Sequence, residues 1–563
     1  MQKAVISPAS ISVQPKTAAW RLPLPSKLQA LAVVVVALVS LPLLYLLVRA
    51  AGASSETLAE IFSARTLTIA ANSIALTLAV MLSAAAVGIP FAWLTTRCRL
   101  PLRRLWLVLA LLPLVIPSYL GTMALIEALG PRGLLQGLLE PFGVRRLPPI
   151  YGFFGAWLTL TLFSYPYVML PVRAALLNMD AALEEAAQSM GLRRWRVFWR
   201  VTFPQLRPAL AAGMILAGLY TLSDFGAVAL MRFDSFTRVI YTRYNSFDRD
   251  AAALLALLLI ALTLVLLWLE KRVSASTRNY RIGVGVQRKL KPLRITRWLW
   301  PALVFCGFII VLGVVLPVGI LFSWLFTSVQ LGADFDGLLH AALNTVGVSG
   351  AAALVVGLAA LPVAVLVVRR PTPANRALAG AAYFGNVLPG VVVALALVFF
   401  AANALPVIYQ TLPVLILGYS TRFLPLSIGA TRSALTQINP RLEEAGRCLG
   451  LRPHEVAARI TMPLARAGVL GGMALVFLSA MKELPTTLLL SPTGYETLPT
   501  AIWSAYNQAR FTAVGAPALL LILVSALSLY FVLLRERPLA AENRQRCDDC
   551  KNATQCAAVR ESR

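Results

Sequence analysis

Histidine is almost missing from this chain: His340 and His454 are the only two in 563 residues. With so little of it, no catalytic constellation assembles, and His454 reads as a surface residue of a polar loop. Cysteine stops at six, too few and too scattered for a disulfide framework. Cys98, Cys306 and Cys448 read as ordinary small residues. Cys547, Cys550 and Cys556 have a metal-like spacing, but no fourth ligand or nearby histidine accompanies them, so they read as incidental cysteines of a disordered tail. A glycine-rich loop ending in Lys-Ser/Thr is also missing, so the chain is not itself an ATPase. Acidic residues are short as well, 24 against 51 Lys and Arg, for a net charge of +27.

What is present is apolar surface. Hydrophobic residues make up 58% of the chain and mean hydropathy is +0.75. Runs of about twenty or more apolar residues match the length of a helix that crosses a bilayer. Twelve such spans are expected, near 28–48, 67–96, 104–127, 150–172, 209–231, 251–269, 298–326, 343–368, 377–402, 408–430, 468–490 and 513–534. The first is followed by no convincing small-residue cleavage site, so it reads as a retained helix and not a signal sequence. The basic residues cluster in alternate loops: about 26 Lys and Arg on one side against about 10 on the other. That is the positive-inside pattern of a multi-pass protein, and it argues against nucleic acid as the partner. It also puts both termini, and the loops 97–103, 173–208, 270–297, 369–376 and 431–467, in the cytoplasm. The expected division is a tail at 1–27, a six-helix domain at 28–269, a basic linker at 270–297, a second six-helix domain at 298–534 and a tail at 535–563. The linker, with nine basic residues, reads as a solvated tether near anionic lipid.

Two of the inside loops are nearly the same sequence. The first carries Glu184-Glu185-Ala186-Ala187, Gly191 and Val201-Thr202-Phe203-Pro204; the second carries Glu443-Glu444-Ala445-Gly446, Gly450 and Ile460-Thr461-Met462-Pro463 at identical spacing. Leu192/Leu451, Arg193/Arg452, Val197/Val456 and Arg200/Arg459 coincide too, as do Asn72-Ser73/Asn344-Thr345, which open the second span of each half, and Pro90/Pro362, Arg97/Arg369 and Pro117/Pro389. An even number of spans per half makes this a parallel repeat about an axis along the membrane normal. Each loop should form a helix, a turn and a second helix. Asn178 or Asp180 caps the first copy and Asn439-Pro440 the second, the glutamates sit at the positive helix end, and the glycines stop the helix or leave room for a partner. Pro204 and Pro463 mark entry into the next span. A polar loop duplicated in two apolar halves implies a docking element for a duplicated soluble partner.

At these residues the chain resembles the inner-membrane permeases of binding-protein-dependent ABC importers. The Glu-Ala-Ala, Gly, Ile/Val-x-x-Pro loop is similar to the coupling loop that docks in a groove of their ATPase subunit. Gly446 departs from the pattern, a small-for-small change. Two fused six-span halves, with Lys482-Glu483-Leu484-Pro485-Thr486-Thr487, Glu496-Thr497-Leu498 and Ser223-Asp224-Phe225-Gly226, resemble the ferric iron permeases; fused thiamine and phosphonate permeases have similar architecture. The resemblance implies an all-α permease of the type I importer kind in a bacterial inner membrane. It implies two copies of an ATPase subunit, a periplasmic binding protein, ATP used only by those partners, and no cofactor on this chain. It also implies coupling through Glu184, Glu185, Ala186, Gly191 and Pro204, and through Glu443, Glu444, Ala445, Gly450 and Pro463. An ion-gradient-driven carrier with two parallel halves is the alternative, and it has no need of a duplicated docking motif.

Glu127, Asp224, Arg422, Lys482 and Glu483 fall in or near apolar spans, where charge is costly and faces a bundle interior or a water-filled path. Asp224 and Glu483 are equivalent by the repeat, and facing carboxylates suit the hard-oxygen preference of a trivalent cation. Asp224, Arg422, Lys482 and Glu483 are therefore the candidate path. Neutralisation of Glu483 by Lys482 or Arg422, bracing the bundle, is the competing reading.

Overall fold

A computed structural model describes residues 26–275, 293 and 296–528, apart from 53, 62, 247, 334 and 387. Most of the N-terminal tail and of the linker, the end of the last expected span, and the C-terminal tail with its three cysteines lie outside the described residues. Among the described residues there is no strand, only an isolated parallel bridge between Cys98 and Leu293. The protein is all-α.

Among the described residues ten helices are long and apolar enough to cross a membrane, from Lys27–Ala51 to Phe511–Ser528. Two of the twelve expected spans are broken helices. In the first half Arg103–Leu114 meets Ser118–Phe142 at 100°, and counting that pair as one span gives eleven. Its counterpart is Pro373–Tyr383 followed by Gly390–Ala404, whose 15 residues are too few to cross alone. The cause is local. Pro117 and Pro389 stand just before the second helix of each pair with extended backbone, φ −60° and −59°. A proline has no N–H to continue a ladder and disfavours helix in the residue before it.

The helices entering the fifth span of each half begin earlier than expected, as Trp195–Ser223 and Pro453–Met481. Pro204 and Pro463 therefore lie inside continuous helices and do not mark the entry. In each, a five-residue π turn, Phe198–Thr202 or Ala457–Thr461, precedes the proline and absorbs the missing donor. Likewise Asn72-Ser73 and Asn344-Thr345 do not open their spans, because the 34-residue helices Ala64–Arg97 and Asp336–Arg369 begin well before them. They cap other helices instead: Ser73 Oγ accepts from Phe236 N at 3.1 Å and Thr345 Oγ1 from Leu498 N at 2.8 Å.

The halves exchange their opening helices. Ser26–Ala51 packs on Asp336–Arg369, Gly390–Ala404 and Leu412–Gln437, while Leu316–Gln330 packs on Ser118–Leu129. Outward faces keep large apolar side chains, such as Leu82 at 64% and Phe322 at 57% exposure, which suits a hydrocarbon surround.

Candidate functional site

Between the halves lies a cavity of about 220 Å³ whose lining includes Asp224, Arg422, Lys482 and Glu483. All four candidate path residues meet there. Glu127 does not; it is exposed near the end of Ser118–Leu129. The cavity forms where four helices break. Pro117 and Pro389 supply two of the breaks; the others follow Ser223 and Met481, before the short helices Gly226–Leu230 and Pro485–Leu490. Broken helices turn their terminal N–H groups toward the cavity, and the acids use them. Asp224 Oδ1 accepts from Ala227 N at 2.8 Å and Oδ2 accepts from Ser118 Oγ. Glu483 Oε1 accepts from Thr486 Oγ1 at 2.8 Å, while Oε2 pairs with Arg422. Lys482 does not pair with its neighbour but reaches across to the first half, donating to the Leu114 carbonyl at 2.8 Å.

The two carboxylates are thus held differently. Glu483 is neutralised, whereas Asp224 has only neutral partners and is 8% exposed. Sequence reasoning missed Ser118, which stands at the first-half break, and Tyr119, Tyr167 and Tyr220, which are among the lining residues. Their one linear signal is that Ser118 and Tyr119 follow the repeated Pro117. Among the described residues no three His, Cys, Asp or Glu side chains come together as a metal cluster.

The repeated loops fold alike. Asp180 Oδ1 caps Ala181–Ser189, accepting from Ala182 N at 3.0 Å, and Asn439 Oδ1 caps Pro440–Cys448, accepting from Arg441 N at 3.1 Å. Gly191 and Gly450 follow with φ +82° and +87°. Leu192 N bonds back to Ala187 O, and Leu451 N to Gly446 O, closing a left-handed glycine stop at each helix end. Glu184 and Glu443 turn inward, 6% and 5% exposed. Glu184 pairs with Arg97 and accepts from Thr202 Oγ1 at 2.8 Å; Glu443 takes Arg369 at 2.8 Å and Thr461 Oγ1 at 3.0 Å. These glutamates brace the loop against the preceding span and the π turn, and the brace fixes the spacing of glutamate and Thr-x-Pro. Gly446 belongs to the same interior: a Cβ there would lie 2.5 Å from Ile460 Cδ1, whereas the first copy pairs Ala187 with the smaller Val201.

Glu185, Ala186 and Ala445 face out and Glu444 is half-buried. Beside them stand large apolar side chains that sequence reasoning missed, at matching places in the two copies: Leu183 and Leu442 at 54% and 49% exposure, Met190 and Leu449 at 76% and 84%.

The family described as binding-protein-dependent transport system inner membrane component matches residues 84–279 and again 353–537. The chain belongs to this family. It is accordingly a permease component of an importer, a multi-pass inner-membrane protein, and not itself an enzyme. Membership leaves the ion-gradient carrier without support. The chain is 32% identical over 500 residues to the Fe(3+)-transport system permease protein FbpB 2 of Haemophilus influenzae, covering 87% of this chain and 95% of that one. With the ferric transport system permease protein FbpB of Actinobacillus pleuropneumoniae it shares 24% over 473 residues, covering 79% and 68%. The molybdenum transport system permease protein ModB of Escherichia coli is 32% identical over 200 residues, covering 34% of this chain and 86% of that one. The fused two-half length is thus shared with the ferric permeases.

Proposed function

We propose that the chain is the permease subunit of an ATP-driven importer of ferric iron. The substrate reading is supported by the two-half relatives, which carry ferric names and align along most of the chain. It is supported too by the cavity, where the Asp224 carboxylate and Ser118 offer hard oxygens. Asp224 meets the cation as it passes, and the Glu483–Arg422 pair and Lys482 keep the opposite wall neutral or positive, so the ion is not trapped. A periplasmic binding protein delivers it.

The observation that carries the coupling reading is the doubled loop. Each copy locks its first glutamate into the bundle and presents a leucine and a second apolar residue to solvent at its tip. Two ATPase subunits dock on these two loops, on the cytoplasmic side where both termini also lie, and their closure swings the halves 28–269 and 298–534 against each other. ATP is bound by those partners alone. Co-purification tests this. The wild-type chain should bring its ATPase with it, and Leu183→Asp combined with Leu442→Asp should lose the ATPase while the permease still accumulates in the membrane. An unchanged yield of ATPase would overturn the docking assignment.

A further inference from the structure

At the end of the bundle that carries the repeated loops, the first half has an apolar groove. It encloses about 580 Å³ and its walls are almost wholly apolar, including Pro90, Trp93, Cys98, Trp195, Phe198 and Trp298. Three segments form it: the end of Ala64–Arg97, the start of Trp195–Ser223, and the start of Thr296–Gln330 from the second half. Phe198 stands edge-on to Trp93 at 5.1 Å and faces Trp195 at 6.3 Å. By the internal repeat, the second half has Val365, His454 and Ala457 in place of Trp93, Trp195 and Phe198. The repeated architecture therefore does not require this aromatic trough. Its volume is in the range that holds a whole ligand, about 300–1,000 Å³.

The exposed charges near the groove are basic, while the buried Arg97 is already paired with Glu184 through Nη2. Arg97 lies over the Trp93 ring at 5.3 Å, and its Nε and Nη1 have no hydrogen-bond partner. Arg369, its equivalent, uses both Nε and Nη2 on Glu443. Arg99, Arg196, Arg200 and Arg297 are exposed beside the lining residues Cys98, Trp195, Phe198 and Trp298. No acidic residue occurs in 89–104, 192–207 or 296–305. Tryptophans, an apolar trough and exposed arginines adjoining its lining are the three parts a membrane lipid needs. A zwitterionic head group would leave the arginines uncompensated, whereas a net anionic one matches them in charge and geometry.

We propose that this groove holds one anionic phospholipid, an acyl chain along Trp93, Phe198 and Trp298 and its phosphate toward the arginine rim. Trp195 and Phe198 lie inside the first repeated loop, between Gly191 and Val201, so the lipid braces that loop and leaves the second unaffected.

The test uses the full-length protein in detergent, titrated with phosphatidylglycerol or phosphatidylcholine of the same acyl chains and examined by non-denaturing mass spectrometry. Phosphatidylglycerol should be retained about fivefold or more in preference, the advantage expected of a single basic contact to an anionic head group. Arg196→Gln with Arg297→Gln, both exposed, should bring the two lipids to parity. Trp298→Ala should lower retention of both lipids without threatening the fold, since that residue is 71% exposed. Equal retention or no retention by the wild-type chain, a preference that survives loss of the arginines, or retention untouched by Trp298→Ala would overturn the proposal.

Discussion

Ser118 and Gly390 stand at equivalent places, each directly after the proline that breaks its helix, and each is matched to the acid it faces. The shorter Asp224 is met by the Ser118 hydroxyl. The longer Glu483 with its arginine needs the space that a missing side chain leaves. A Cβ on Gly390 would lie 2.5 Å from Glu483 Oε1 and 2.7 Å from Arg422 Nη1. Gly390→Ala should therefore make the ends of both side chains shift and loosen the pair. The expected outcome is a modestly lowered thermal unfolding midpoint in detergent, to which an unchanged midpoint would be contrary. Ser118→Ala removes one hydrogen bond to a carboxylate, worth about 1.5–3 kcal/mol, so it should leave the fold assembled and alter ferric uptake. Wild-type uptake in that variant would argue against an engaged Asp224. The charged residues of the cavity were legible in the sequence because charge inside an apolar run is conspicuous. Ser118 and Gly390 were not, because a serine or glycine in such a run is ordinary until the fold shows what it faces.

At the scale of elements, the doubled loop was the clearest feature of the sequence, and its caps and glycine stops form where spacing placed them. Spacing did not show that Glu184 and Glu443 turn inward, because placement at a helix N-terminus satisfies a carboxylate whether it faces a partner or the bundle. The arginines were visible as the repeat pair Arg97/Arg369 but had no assigned role. The brace predicts that Glu184→Ala, leaving Arg97 buried and uncompensated, costs about 3–5 kcal/mol, and that Arg97→Ala in the same chain restores part of it. A double-mutant cycle on unfolding in detergent measures this, and simple additivity would contradict it. The glycine stops give a second test. A Cβ at Gly191 or Gly450 meets nothing within 4 Å in this chain. Asparagine tolerates the left-handed backbone, so Gly191→Asn with Gly450→Asn should accumulate normally yet bind the ATPase less well. Undiminished binding would mean the glycines serve only the turn.

For the whole molecule, composition and periodicity made the all-α, two-half plan legible. The exchange of opening helices was not, since it depends on contacts between the halves; the broken third spans were not either, because the repeated prolines that cause them sit within runs apolar enough to pass for continuous spans. The orientation inferred from basic loops is open to direct test. Cys448 is exposed in the second loop, while Cys98 is buried and burial pushes its thiol up, so less reactive thiolate is present at neutral pH. An impermeant maleimide should label Cys448 only after cells are permeabilised and should spare Cys98 throughout; labelling of Cys448 in intact cells would invert the topology.

The central claim, that Asp224 at the junction of the halves passes ferric iron under ATP drive, is tested most directly by transport. The chain, its ATPase and its binding protein are reconstituted in liposomes and uptake of radiolabelled ferric iron is followed. Uptake should require both ATP and the binding protein, and in Asp224→Asn it should fall at least about tenfold, equivalent to 1.4 kcal/mol, while basal ATP hydrolysis continues. Accumulation of molybdate or sulfate in place of iron, or full ferric uptake by the Asp224→Asn complex, would contradict the account.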